Sequence, residues 1–172
     1  MTEKFEVRIP NEELIKKASN VQKASLKLSQ TSNEIRKEIL FNMTKSLIKN
    51  SEKIVEANIS DLELAKKKGI ANSLLSRLKL SKEKLLEGIK GVEKVSDLTD
   101  PIGQIQINKE LASGLILQRR TVPIGVLGVI FESRPDAVIQ ISSLAIRSGN
   151  GVILKGGSEA SQTNISIVNA LK

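Results

Sequence analysis

Through its first hundred residues the chain spaces apolar side chains three and four positions apart, the signature of helices with one buried face. Asn11 is placed to cap a segment that carries Leu14, Ala18, Val21 and Leu28 on one side. Thr31-Ser32-Asn33-Glu34 reads as a capping box ahead of Ile35, Ile39, Met43 and Leu47. Ser51 opens a third helix with Ile54, Val55, Asn58, Leu62 and Ala65 inward, and Gly69 stops it. A short helix after Asn72 carries Leu74, Leu75 and Leu78, and Ser81 opens another with Leu85, Ile89 and Val92. These stripes are assigned to the core and given no chemistry.

After Asp100-Pro101-Ile102-Gly103 the period changes. Gln104 to Asn108 alternates polar and apolar as a half-buried strand does, and Leu115 to Arg120 follows Ala112-Ser113-Gly114, which predicts a β-hairpin over 104–120. Beyond Pro123 an apolar run over 124–131 predicts a strand, within which Gly125 and Gly128 would permit close packing. Asp136 to Ser148 has helical spacing, with Val138, Ile141, Leu144 and Ala145 toward the sheet and Gly149-Asn150 at its end. Gly151 to Leu154 is uninterrupted in its hydrophobicity, as suits a strand covered on both faces of a parallel sheet. A final helix would bury Ile165, Val168 and Leu171. The predicted class is therefore α/β: N-terminal helices over 1–100, a hairpin segment over 101–123, and a β-α-β-α unit over 124–172 with a right-handed crossover.

Composition narrows the chemistry. Only three aromatic residues (Phe5, Phe41, Phe131) occur in 172, so the core is aliphatic. The net charge of +8 is scattered and interleaved with Glu; its densest run, Lys66-Lys67-Lys68, sits where lysines complement the end of a helix dipole. Without stacking platforms this charge does not describe a nucleic-acid site. There is no Cys and no His, which removes disulfides, a thiol nucleophile, the commonest general base and the commonest metal ligand. The charged start, Met1 to Glu6, does not fit a signal peptide, and no run reaches the ~20 apolar residues of a membrane span. A cytoplasmic protein is expected.

Ligands of open α/β sheets bind at the carboxyl ends of the strands. There the chain places Phe131-Glu132-Ser133-Arg134-Pro135-Asp136 after one strand and Lys155-Gly156-Gly157-Ser158-Glu159 after the other. Neither is a Gly-x-Gly-x-x-Gly or P-loop fingerprint. Lys155 offers a cation, the turn its amides and hydroxyl, and Glu159 an acceptor, a set suited to a polyanion or a ribose. A plain βα turn, with Ser158 capping the helix and Lys155 in solvent, accounts for the same residues equally well.

Residues 121–159 closely resemble the γ-glutamyl phosphate reductase family (glutamate-5-semialdehyde dehydrogenase), including the reductase half of the fused plant and animal pyrroline-carboxylate synthases. The matching words are Val122-Pro123-Ile124-Gly125-Val126, Phe131 to Asp136, Ser148-Gly149-Asn150 and Leu154 to Glu159. Ser76-Arg77-Leu78 and Asp100 to Gly103 extend the likeness over most of the chain from about residue 14. The resemblance implies an aldehyde-dehydrogenase-type modified Rossmann domain without the glycine fingerprint. It also implies NADPH-dependent reduction of L-glutamyl 5-phosphate to glutamate 5-semialdehyde in proline synthesis.

Carried over by position, Lys155 would meet the adenosine ribose or 2′-phosphate of NADP(H), with Gly156, Gly157, Ser158 and Glu159 around it, and Phe131 and Glu132 would pass close to the cofactor. Ser133 stands where the wider superfamily places an oxyanion-stabilising asparagine. Arg134 would bind the substrate's phosphate or form a structural ion pair. The family's catalytic cysteine falls far beyond residue 172, and the family's usual length is more than twice this chain's. Partners implied are glutamyl phosphate, further copies of the chain through the hairpin, or a separate chain carrying the remainder. The chain by itself is expected to be inactive; the alternative reading is a truncated or split-gene non-catalytic chain that associates with a partner carrying the catalytic domain.

Overall fold

The computed structural model describes residues 11–172. The charged N-terminal hexapeptide that argued against a signal peptide lies outside them. Among the described residues, seven helices and four strands run in the order α1 (Glu12–Ser29), α2 (Asn33–Lys49), α3 (Ser51–Lys67), α4 (Asn72–Leu78), α5 (Lys82–Asp97), β1 (Ile105–Ala112), β2 (Leu115–Arg120), β3 (Val126–Ile130), α6 (Asp136–Arg147), β4 (Gly151–Lys155) and α7 (Ser161–Ala170). A single 3₁₀ turn, Ser158–Ala160, precedes α7.

The helix starts follow local chemistry. The side chains of Asn11, Ser32 and Ser81 each accept the amide three residues on, satisfying a donor that no helix can pair internally. The capping box expected at Thr31 is displaced by one residue. Ser32 is the cap of α2, because the Thr31 hydroxyl donates to the Leu28 carbonyl and so finishes α1.

One aliphatic cluster joins α2, α3, α5, α6 and α7 through Leu40, Leu47, Ile54, Leu85, Ile89, Val138, Ile139 and Ile167, with Phe131 and Leu154 packed against it. The β-α-β-α unit therefore shares its core with the preceding helices. Several expected inward positions are turned out. Leu14, Ile35, Ile39, Leu74, Leu144 and Ile165 are exposed, while Ser25, Arg36, Leu40, Ile139, Thr163 and Ile167 are buried. Met43 and Leu47 of α2 and Val138 and Ala145 of α6 are buried as expected, but Arg36 and Leu40 take the inward places of Ile35 and Ile39, and Ile139 is buried while Leu144 is exposed. Both helices carry apolar residues around more than half their circumference, and packing alone chooses the face.

Arg36, buried on α2, donates two bonds of 2.8 and 2.7 Å to Asp100. Arg147, buried on α6, reaches Asn33 at 2.6 Å and the Leu98 carbonyl. These two guanidinium groups anchor the point where the helices give way to β structure.

The hairpin forms, but β1 runs on to Ala112, and both strands are exposed along their whole length rather than half-buried. Nothing among the described residues covers it. β3 and β4 pair in parallel, from Val126 opposite Gly151 to Ile130 opposite Lys155. β3 is shorter than predicted: Ile124 is exposed and Gly125, at φ +120°, turns the chain into the strand. A Cβ on Gly128 would meet nothing within 4 Å, so close packing does not explain that glycine. β4 is half-buried rather than fully buried: α1 and α6 pack against it, but its edge away from β3 is unpaired among the described residues. No described helix is long and apolar enough to cross a membrane.

Candidate functional site

Parallel pairing in register brings the carboxyl ends of β3 and β4 side by side, so the turns at 131–135 and 156–160 form one edge of the molecule. The Phe131 amide donates to the Lys155 carbonyl at 3.1 Å and extends the pairing one step beyond β3. Phe131 is half-buried; Glu132 and Lys155 are exposed, and Lys155 has no ion-pair partner among the described residues.

The two turns are joined directly. Ser133, 3% exposed, directs its amide and its hydroxyl to Oε1 of Glu159 at 2.5 and 3.0 Å. Ser133 is also the one described non-glycine residue at positive φ, +49°. Partial burial raises the Glu159 pKa, but the amide of Glu159 itself, the amide and hydroxyl of Ser133 and the charge of Lys155 together outweigh it and hold the carboxyl below its ordinary range.

Both glycines of Lys155-Gly156-Gly157 have intramolecular reasons. A Cβ on Gly156 would lie 2.3 Å from Nδ2 of Asn164 and 3.3 Å from the Phe131 ring. One on Gly157 would lie 2.2 Å from both carboxylate oxygens of Glu159, which folds back over it. Ser158 is exposed and does not cap a helix. Arg134 is half-exposed and pairs with Asp136 at 3.0 Å, which raises its pKa through that hydrogen bond and the adjacent charge.

Sequence reasoning passed over the group that holds this edge from behind. Asp61 of α3, 2% exposed, accepts the Thr163 amide at 2.8 Å, the Thr163 hydroxyl at 2.7 Å and the Gln162 amide at 3.3 Å. A carboxylate from a distant helix thus caps α7, in place of the Ser158 cap considered from sequence. Asn58, one turn earlier, accepts the Leu80 amide and donates to the Leu78 carbonyl and to Thr163. The signal was present in Asn58 and Asp61: two polar residues fall within a buried helical stripe bounded by Ile54 and Ala65.

A cavity of about 360 Å³ opens beside the second turn, lined by Phe131, Leu154, Gly156, Asn164 and Val168 among others. Oδ1 of Asn164 is buried there without a hydrogen-bond partner. Lys155 and Ser158 are exposed on the same turn, so an ammonium, a hydroxyl and the Asn164 amide oxygen stand near an apolar hollow and could hold a polar ligand.

This fold defines a class: the chain is an N-terminal part of the aldehyde-dehydrogenase architecture. A putative aldehyde dehydrogenase from Bacillus subtilis superposes over 95% of the chain with a TM-score of 0.68 at 18% identity, a likeness of fold alone. No protein-family model matches. Within the class, the chain is similar in sequence and fold to γ-glutamyl phosphate reductases, and it spans about two fifths of the length of the relatives it matches. It is 65% identical over all 172 residues to the γ-glutamyl phosphate reductase of Prochlorococcus marinus subsp. pastoris, of which it covers 39%. The crystal structure of γ-glutamyl phosphate reductase from Saccharomyces cerevisiae superposes over 95% of the chain (TM-score 0.89, 41% identity) and that from Thermotoga maritima over 93% (TM-score 0.90, 36% identity). The chain covers 41% and 39% of those two chains.

Proposed function

We propose that the chain supplies the N-terminal helices, the hairpin and the opening of the cofactor domain of an NADPH-dependent γ-glutamyl phosphate reductase. The enzyme would reduce L-glutamyl 5-phosphate to glutamate 5-semialdehyde in the cytoplasm, on the route to proline. The observation that carries this assignment is the 65% identity along the whole chain to a relative of that name. Lys155 meets the ribose or the 2′-phosphate of NADPH, Ser158 lies beside it, and Gly156, Gly157 and Phe131 shape the floor. Glu132 borders the cofactor's path, and Glu159 belongs to the same turn.

When bound, the cofactor supplies hydride. Arg134 lies on the substrate side of the edge and, already paired with Asp136, keeps donors free for a phosphate, whereas Ser133 is buried with its amide and hydroxyl both donated to Glu159. The chain has no Cys, so the thiolate on which the family's acyl transfer depends comes from polypeptide outside these residues, continuous with them or separate. The exposed hairpin is the surface offered to further copies or to such a partner.

The test has two arms. The 172-residue chain alone is expected to show no glutamyl-phosphate-dependent NADPH oxidation and no rescue of a proline auxotroph; adding the remainder of a relative's reductase is expected to restore both. In the restored enzyme Lys155→Ala removes a charge-assisted contact worth roughly 1.5–3 kcal/mol, raising KM for NADPH about ten- to a hundredfold with thermal stability unchanged. An unchanged KM with a lowered Tm assigns Lys155 to the fold and removes the nucleotide from this turn.

A further inference from the structure

The structure assigns Glu159 a task within the protein: we infer that it is a positioning residue, which holds the strained Ser133 and so fixes the turn after β3 against the turn after β4. Four observations converge on it. Ser133 is at φ +49°, a region that costs a non-glycine residue energy unless its surroundings impose it. Its amide and its hydroxyl both end on one oxygen, Oε1 of Glu159, so a single carboxylate fixes the orientation of backbone and side chain together. Glu159 has room to fold back because residue 157 is glycine; any Cβ there would sit 2.2 Å from the carboxylate oxygens. Glu159 follows the 3₁₀ turn's first residue, and that turn leads into α7, whose start is clamped by Asp61, so the carboxylate projects from a fixed base.

Two consequences follow for the site. Arg134 is covalently next to Ser133, so its position relative to Lys155 is set through Glu159. The hydroxyl of Ser133 has one proton, which it donates in a hydrogen bond to Glu159 while the carboxylate is ionised. The inference stands on hydrogen bonds within the chain and rests on the reductase assignment only for what the two turns face.

Hydrogen exchange at the Ser133 amide, read by mass spectrometry with residue resolution, tests it in the 172-residue chain, whatever its state of association. Glu159→Ala is expected to accelerate exchange at Ser133 tenfold or more at pH 7. Glu159→Gln keeps an acceptor oxygen and is expected to restore protection to within about threefold of wild type. The difference between wild type and Glu159→Ala is expected to be full above the ordinary glutamate pKa of about 4.3. It should fade as pH falls through the lowered pKa of the folded state, because the protonated carboxyl is a poorer acceptor. Equal exchange at Ser133 in wild type and Glu159→Ala, or a difference that does not fade in acid, overturns the inference. If Glu159→Ala fails to fold, Glu159→Gln against wild type across the same pH range decides it. No nucleotide is present, so failure here is separate from failure of the Lys155 experiment.

Discussion

At the scale of single residues, the candidate edge depends on buried polar groups that each serve several partners. Asp61 is the clearest. Three donors converge on its carboxylate at the start of α7. Truncating it leaves buried donors unpaired, each at a cost of about 1–3 kcal/mol, so Asp61→Ala is expected to lower stability by at least about 2 kcal/mol in a denaturant melt. Asp61→Asn keeps one acceptor oxygen and should lose less. If the alanine variant melts within 0.5 kcal/mol of wild type, water replaces the carboxylate and the cap is dispensable. Ser133 and Glu159 show the same economy of atoms on the other side of the turn.

At the scale of elements, the hairpin and the helices stand in contrast. β1 and β2 bond to one another along their length, with Ile105, Ile107, Leu111, Leu115, Ile116 and Leu117 all facing solvent. An element that buries almost nothing against its neighbours adds little to their stability. Replacing residues 105–120 with a short Gly-Ser turn is therefore expected to leave the melting temperature of the helical body within about 3 °C of the parent. The same change removes a row of exposed apolar side chains and should reduce self-association. A large drop in Tm would mean that the hairpin folds onto the body in solution. The helices behave oppositely: α2, α3, α5, α6 and α7 each contribute to one cluster, so their packing cannot be divided at residue 100 or 124.

At the scale of the whole molecule, two apolar surfaces remain open among the described residues. One is the hairpin. The other is a groove of about 760 Å³ beside β4, between Val21 and Leu28 of α1 and Ile146 of α6, Val168 of α7 and Leu171 just beyond it. Parallel sheets are ordinarily covered on both faces, and unpaired apolar edges recruit other chains. The purified 172-residue chain is expected to self-associate at micromolar concentration and to bind a hydrophobic dye. Sedimentation velocity with dye fluorescence measures both. A single monomeric species with a sharp melt and no dye binding would show that the half-covered sheet is self-sufficient.

What the sequence determined by itself is local. Caps at Asn11, Ser32 and Ser81, the stop at Gly69, the helix of 136–147 and the short strand of 151–155 all follow from residue-level propensities that act within one or two turns of chain. The motifs after β3 and β4 were legible for the same reason, as polar clusters after apolar runs. What only the tertiary structure decided is which face each helix buries and which atoms meet. Arg36 and Leu40 displace Ile35 and Ile39 because the partners of α2 approach from one side, information that no periodicity contains. Asp61 meets Thr163 across 102 residues, and Ser133 meets Glu159 across 26, only because β3 and β4 lie parallel and α3 lies behind α7. Those contacts are set by the path of the whole chain, and the candidate site is built from them.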